Sequence, residues 1–166
     1  MEVYLRKLTT KDVCKQYLKW MNDIKITQFT EQRFKKKKLS DLKEFIIQKS
    51  KSKNEYLFGI FVKKKDLHVG NIKLGPINFN HKTAYISYFI GDRSFQNYGI
   101  ATKVIKLICK YAKKKKLRKL KAACYSINEP SIVVLKKNGF KLEAVFKNEL
   151  LIKNKKYNQS ILTKFL

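Results

Sequence analysis

The chain predicts an α/β (α+β) fold, a mixed central sheet carrying helices on both faces. Three observations lead there. Strand-like and helix-like stretches follow in the order strand, helix, helix, three strands, helix, strand, helix, two strands, which a mixed sheet accommodates. No Pro-, Gly- or Ser-rich linker and no internal repeat interrupts that order, and the only prolines are Pro76 and Pro130. The composition is 44% hydrophobic and 13% aromatic, enough to bury a core, so residues 1–166 are expected to form a single domain.

Each element has a local reason. VYLRKL reads as an opening strand, and Thr9 with Asp12 resembles a helix-capping pair ahead of Val13, Tyr17, Trp20 and Met21 at helical spacing. Ser40 is the expected cap of a second helix carrying Leu42, Phe45 and Ile46. YLFGIFV and HVGNIKLGPINF read as strands joined by the charged turn KKKD, and Thr83 to Gly91 reads as a third, rich in aromatic and β-branched residues. Ile100, Val104, Leu107, Ile108 and Tyr111 fall on one face of a helix ending near Lys113. LRKLKAACYS gives the next strand. Asn128-Glu129-Pro130-Ser131 starts the last helix and Asn138-Gly139 stops it, after which two strands are joined by KNKK.

The formal net charge is +27, which points to acidic ligands in general. Of the 39 basic residues only Arg6, Arg33, Arg93 and Arg118 are arginine. Arginine is the better residue for bidentate phosphate and base recognition, so a surface selected to read nucleic acid would carry more of it. The lysine excess, with abundant Asn and Ile, matches A/T-rich codon usage, and no specific nucleic-acid partner is expected. A non-catalytic basic nucleic-acid-binding protein is the competing class, resting on charge alone. Cys14, Cys109 and Cys124 form no CxxC pair and lie far in sequence from His68 and His81, so no metal site is expected. No apolar run is long enough to span a bilayer, and MEVYLRKLTTKDV lacks a signal-peptide core, so the expectation is cytoplasmic.

The stretch from Arg93 to Ile105, RSFQNYGIATKVI, places a glycine turn at a strand-to-helix junction. A helix start carries unpaired amides and partial positive charge, and small residues let an anion approach them. Gly99 and Ala101 are small where a phosphate would arrive, although such glycines also serve purely conformational ends.

Gln96-Asn97-Tyr98-Gly99-Ile100-Ala101 resembles the Q/R-x-x-G-x-G/A signature of the GNAT superfamily of acetyl-CoA-dependent acetyltransferases. Asn128, Ser131, Lys137 and Gly139-Phe140 resemble its N-x-x-S…K-x-G-F segment. LRKLTTKDVCKQYLKWMND is similar to the branch containing ribosomal-protein N-terminal acetyltransferases, while ITQFTEQRF and DLHVGNIKLGPIN are similar to a sub-branch acting on nucleotide-linked amino sugars of surface glycans. The resemblance implies a GNAT-like fold and acetyl-CoA as co-substrate. It also implies an anionic small-molecule amine acceptor, a nucleotide-linked amino sugar, with a protein N-terminus as the alternative.

The implied coenzyme residues are Gln96, Asn97, Tyr98, Gly99, Ile100 and Ala101 at the pyrophosphate, Tyr88, Phe89 and Ile90 on the strand beside the thioester, and Asn128 at the pantetheine arm. Lys103, Lys136 or Lys137 could meet phosphate charge. Many family members carry a tyrosine proton donor seven residues after the asparagine; here that position is Leu135. Ser131, four residues earlier and on the same helical face, is the first substitute, with Tyr125 and Tyr88 as further donors. Glu31 is the chosen base, its alternative being a salt bridge to Arg33; His81 could also titrate near neutrality.

Overall fold

The computed structural model describes residues 1–166. Seven strands form one sheet: β1 (Val3–Lys7), β2 (Tyr56–Val62), β3 (Leu67–Asn78), β4 (Thr83–Ile90), β5 (Lys119–Tyr125), β6 (Lys141–Ile152) and β7 (Lys155–Phe165), in spatial order β1-β2-β3-β4-β5-β7-β6. All neighbours are antiparallel except β4 and β5. The helices are α1 (Lys15–Asn22), α2 (Ile24–Thr27), α3 (Leu39–Lys51), α4 (Ile100–Lys114) and α5 (Glu129–Lys137). The predicted mixed sheet with helices on both faces is what forms.

Local starts differ from expectation in three places. Thr9 and Asp12 cap only a single turn, Thr10–Asp12, and the chain begins again at Cys14 before α1. The short α2 adds a turn absent from the expected order. Ser40 does not cap α3; it lies inside a helix that opens at Leu39, where the Asp41 carboxylate accepts the Lys38 amide at 2.8 Å. The Asp41 carboxylate, at the third helical position, reaches back to the amide of the residue before the helix and favours the positive helix start, so α3 opens ahead of Ser40.

The two sheet faces are unequal. Strand alternation sends Ala84, Ile86, Leu120, Ala122 and Leu162 to the α4–α5 side, where 22 buried residues make the main core. On the other face α1 and α3 enclose a cluster of seven, including Tyr17, Trp20, Met21, Leu42, Ile46 and Phe61. The smaller cluster needs a polar tie. His68 Nε2 donates to Asn71 Oδ1 (2.7 Å) and Gly70 O (2.9 Å), and Asn71 Nδ2 donates to Tyr17 Oη at 2.7 Å. Burial lowers the His68 pKa below 6.5, against the opposing pull of those bonds, so the ring sits there neutral. At Gly91 a side chain would drive its Cβ to 2.3 Å from the Trp20 indole, so the end of β4 rests directly on this cluster.

Candidate active site

A gap opens between the two parallel strands. β4 and β5 pair only through Thr83–Lys119, Ala84–Leu120 and Tyr85–Lys121, then separate. β4 stays paired with β3 as far as Ile90. In an antiparallel pair alternate residues turn their backbone groups away from the partner, so part of the Ile86–Ile90 backbone faces the gap with no strand to receive it. Tyr88, Phe89 and Ile90 therefore offer the gap backbone as well as side chains. Phe89 sends its ring to the α1–α3 cluster, whereas Tyr88 and Ile90 lie on the α4–α5 side.

The glycine turn stands beyond the end of β4. Asp92 Oδ1 accepts the Ser94 amide, Gln96 donates its amide to Arg93 O (3.1 Å), and Gln96 Nε2 reaches back to Ile90 O at 3.2 Å. Asn97 (φ 65°) and Gly99 (φ 70°) are both left-handed, and α4 starts at Ile100. The first intrahelical bond runs from Lys103 N to Gly99 O. Consequently every backbone amide from Asn97 through Thr102 lacks an acceptor in the protein. A Cβ on Gly99 would meet no atom within 4 Å, so open space lies at Gly99, in the middle of that run. Unpaired amides at a helix start beside open space make an anion site.

The residues expected at the coenzyme differ in their backbone bonding. Asn97, Tyr98, Gly99, Ile100 and Ala101 carry free amides; Gln96 does not, since Arg93 O takes its amide and its side chain braces the turn against β4. Thr102 also carries a free amide. The signal was available in the rule that a helix leaves its first amides unpaired. Lys103 is turned away from that role, its ammonium donating to Met1 O at 2.6 Å.

On the far wall of the gap, Asn128 caps α5, its Oδ1 accepting the Ser131 amide at 3.4 Å, and its Nδ2 has no protein partner. Ser131 does not spend its hydroxyl on its own backbone. Its Oγ lies 3.2 Å from Tyr88 Oη, joining α5 to β4 across the gap. Burial raises the Tyr88 pKa above 10, partly offset by the Ser131 bond, so the phenol keeps its proton. Leu135 is 1% exposed and belongs to the main core. Cys124 nearby is held as a thiol, its pKa pushed up to about 11 by burial.

The other side chains singled out in the sequence lie elsewhere. Tyr125 is on the opposite face of β5, buried, with its hydroxyl beside Leu151 O (3.5 Å) and receiving a hydrogen bond from Arg33 Nη2. Glu31 is exposed on the turn Glu31–Phe34 and makes no ion pair with Arg33, whose guanidinium turns inward to Tyr125. His81 is exposed in the β3–β4 turn, its amide donating to Asn78 Oδ1 and its carbonyl accepting from Arg118. No group of three or more His, Cys, Asp or Glu side chains is brought together to hold a metal. No helix is long and apolar enough to cross a membrane.

A family profile described as "Acetyltransferase (GNAT) domain" matches residues 5–161. The chain belongs to the GNAT acetyltransferase family. Within it, the chain is 34% identical over 100 residues to the probable N-acetyltransferase YjcK of Bacillus subtilis (strain 168), a match spanning 59% of this chain and only 55% of that protein. The fold is also that of solved GNAT proteins. The microcin C7 self-immunity acetyltransferase MccE, solved in complex with acetyl-CoA and AMP, superposes with a TM-score of 0.85 at 26% identity over 99% of this chain and 93% of that one. The spermidine N-acetyltransferase of Vibrio cholerae, in complex with CoA and spermine, gives 0.87 at 19% identity over 98% and 95%. The ribosomal L7/L12 N-protein acetyltransferase RimL, in complex with coenzyme A, gives 0.87 at 19% identity over 99% and 94%.

Proposed function

We propose that this GNAT chain transfers an acetyl group from acetyl-CoA to a primary amine by direct attack within a ternary complex. The observation that carries the reading is the run of acceptor-free amides from Asn97 to Thr102, with open space at Gly99, at the end of a gap between β4 and β5. A polyanionic headgroup fits the amides, and an extended amide-bearing arm fits the unpaired β4 backbone. Asn128 Nδ2 is the free donor for that arm on the opposite wall.

In this reading acetyl-CoA supplies the activated acyl group. The β4 backbone near Tyr88–Ile90 stabilises the oxyanion that forms when the amine attacks. Ser131 Oγ donates a hydrogen bond to the departing thiolate, which takes its proton from solvent, while Tyr88 Oη, 3.2 Å from Ser131 Oγ, keeps its own proton and holds that hydroxyl in place. The pair thus stabilises the thiolate, a task that Leu135, sunk in the core, is unable to perform. Glu31, exposed on the turn that also carries Arg33, takes the amine's proton through water.

The acceptor is a neutral amine borne on an anionic molecule, in its narrower form a nucleotide-linked amino sugar. The net charge of +27 works for such an acceptor and against a polycationic amine. The AMP in the complex of the similar MccE protein supports a nucleotide-bearing acceptor in the same way. Incubation with acetyl-CoA and separate amino-sugar, peptide and polyamine acceptors, following free thiol, tests the reading. Thiol release above hydrolysis is expected with the amino-sugar nucleotides. Its absence with every amino sugar removes the narrower acceptor, and its absence with all amines removes the transfer.

A further inference from the structure

We propose that Arg33 is the residue that binds an oxyanion of the acceptor, phosphate or carboxylate, and so selects anionic amines. The inference rests on the acetyl-transfer reading and adds to it a recognition residue. Arg33 lies on the turn Glu31–Phe34, between α2 and α3, and reaches across to the C-terminal end of β5 and the tip of the β6–β7 hairpin. Its guanidinium donates from Nη1 to Thr30 O at 2.9 Å, and from Nη2 to Leu151 O at 2.8 Å and to the Tyr125 hydroxyl. All three acceptors are neutral.

No carboxylate forms an ion pair with it, whereas Arg6 is matched by Asp12 and Arg93 by Asp23. A guanidinium offers five N–H donors, so Nε–H and one Nη1–H are left without a protein partner. The surroundings are aromatic. Phe34 lies 4.1 Å below the guanidinium carbon and Tyr125 5.3 Å from it, with Phe29 and Tyr157 packed on Tyr125 at 5.4 and 6.3 Å between ring centroids. Those rings exclude water from one side of the cation and leave its charge uncompensated, a setting in which a fixed fork is worth most to an arriving oxyanion. In a chain with so few arginines, the one half-buried here without a counter-charge is placed for recognition.

The test compares three matched amines on the full chain: glucosamine 1-phosphate, muramic acid with its carboxylate, and unsubstituted glucosamine. Thiol release from acetyl-CoA gives kcat and KM for each, with wild type, Arg33→Gln and Arg33→Lys. The expected result is that wild type prefers an oxyanion-bearing amine by at least about tenfold in kcat/KM. Arg33→Gln should erase the preference through KM, and Arg33→Lys should keep part of it. The better of the first two amines identifies phosphate or carboxylate as the source. Equal losses on all three amines, or a wild type indifferent to the oxyanion, overturn the proposal. Calorimetric binding of glucosamine 1-phosphate to CoA-loaded protein separates the two readings. If no amine releases thiol yet binding is lost in Arg33→Gln, acetyl transfer fails and the oxyanion site stands. If binding is indifferent to the substitution, the site falls.

Discussion

The proposed coenzyme side of the gap and the proposed acceptor side are built by different means. The first is backbone: six consecutive amides from Asn97 to Thr102, a turn braced by Gln96, and strand edges left unpaired by the separation of β4 from β5. The second is side chains from distant parts of the chain, with Arg33 joined to Tyr125 and Leu151 across 92 and 118 residues. A site made of backbone needs only small residues and the right torsions, so it writes a short local signature. A site made of side-chain contacts writes none.

Ser131→Ala and Tyr88→Phe should each lower kcat by about a hundredfold with acetyl-CoA affinity retained, and the double variant should lose little more, because the two hydroxyls act in series. Additive losses in steady-state kinetics would separate them into independent roles. Gly99→Val comes next. It places a β-branched side chain at φ 70° and in the open space amid the amides, so acetyl-CoA affinity by calorimetry should fall about thirtyfold. Unchanged affinity would move the anion site away from this turn.

Leu135→Tyr tests whether the thiolate's partner has been relocated or is simply missing. At a position 1% exposed the larger polar ring overpacks the core, and denaturant unfolding should report a loss of about 2 kcal/mol without a gain in kcat. A rise in kcat would mean that Ser131 and Tyr88 do not fill the role.

The smallest effect concerns the ground on which the acceptor side rests. His68 is buried neutral, with its pKa lowered below 6.5, so the unfolded chain binds its proton more readily than the folded one does. Its contribution is therefore intact above pH 6.5 and is lost as the pH falls through 6.5 toward the lowered folded-state value. The urea midpoint should drop between about pH 7.5 and about pH 5.5, and His68→Gln should flatten that drop. Asp12 does not confuse the window: burial alone would raise its carboxyl, but the Arg6 and Thr9 bonds hold it near 2.

These differences mark what could be read in the sequence. The sheet, the two helices flanking β5, the glycine turn and the Asn128 cap all follow from periodicity and local backbone rules, and they form where expected. The readings that failed were competitions between neighbours. α3 opens at Leu39, ahead of Ser40, with Asp41 reaching back to the Lys38 amide, and Arg93 O takes the Gln96 amide. Glu31 with Arg33 was a reasonable pair at two residues' spacing, yet the guanidinium found its partners on β5 and the hairpin. The Tyr88–Ser131 contact was beyond reach for the same reason, since 43 residues separate its members. The sequence could still flag Leu135 as a departure, and so raise the question that this contact answers.

The Arg33 bridge has a consequence for how such a protein changes over generations. Each contact on the acceptor side hangs on one replaceable side chain or one hairpin tip, whereas the amides around Gly99 belong to every residue and survive most substitutions. On the proposed assignment, lineages descending from this chain can drift from one acceptor to another by single steps at Arg33, Tyr125 or the hairpin, while the grip on the coenzyme passes unchanged from parent to offspring.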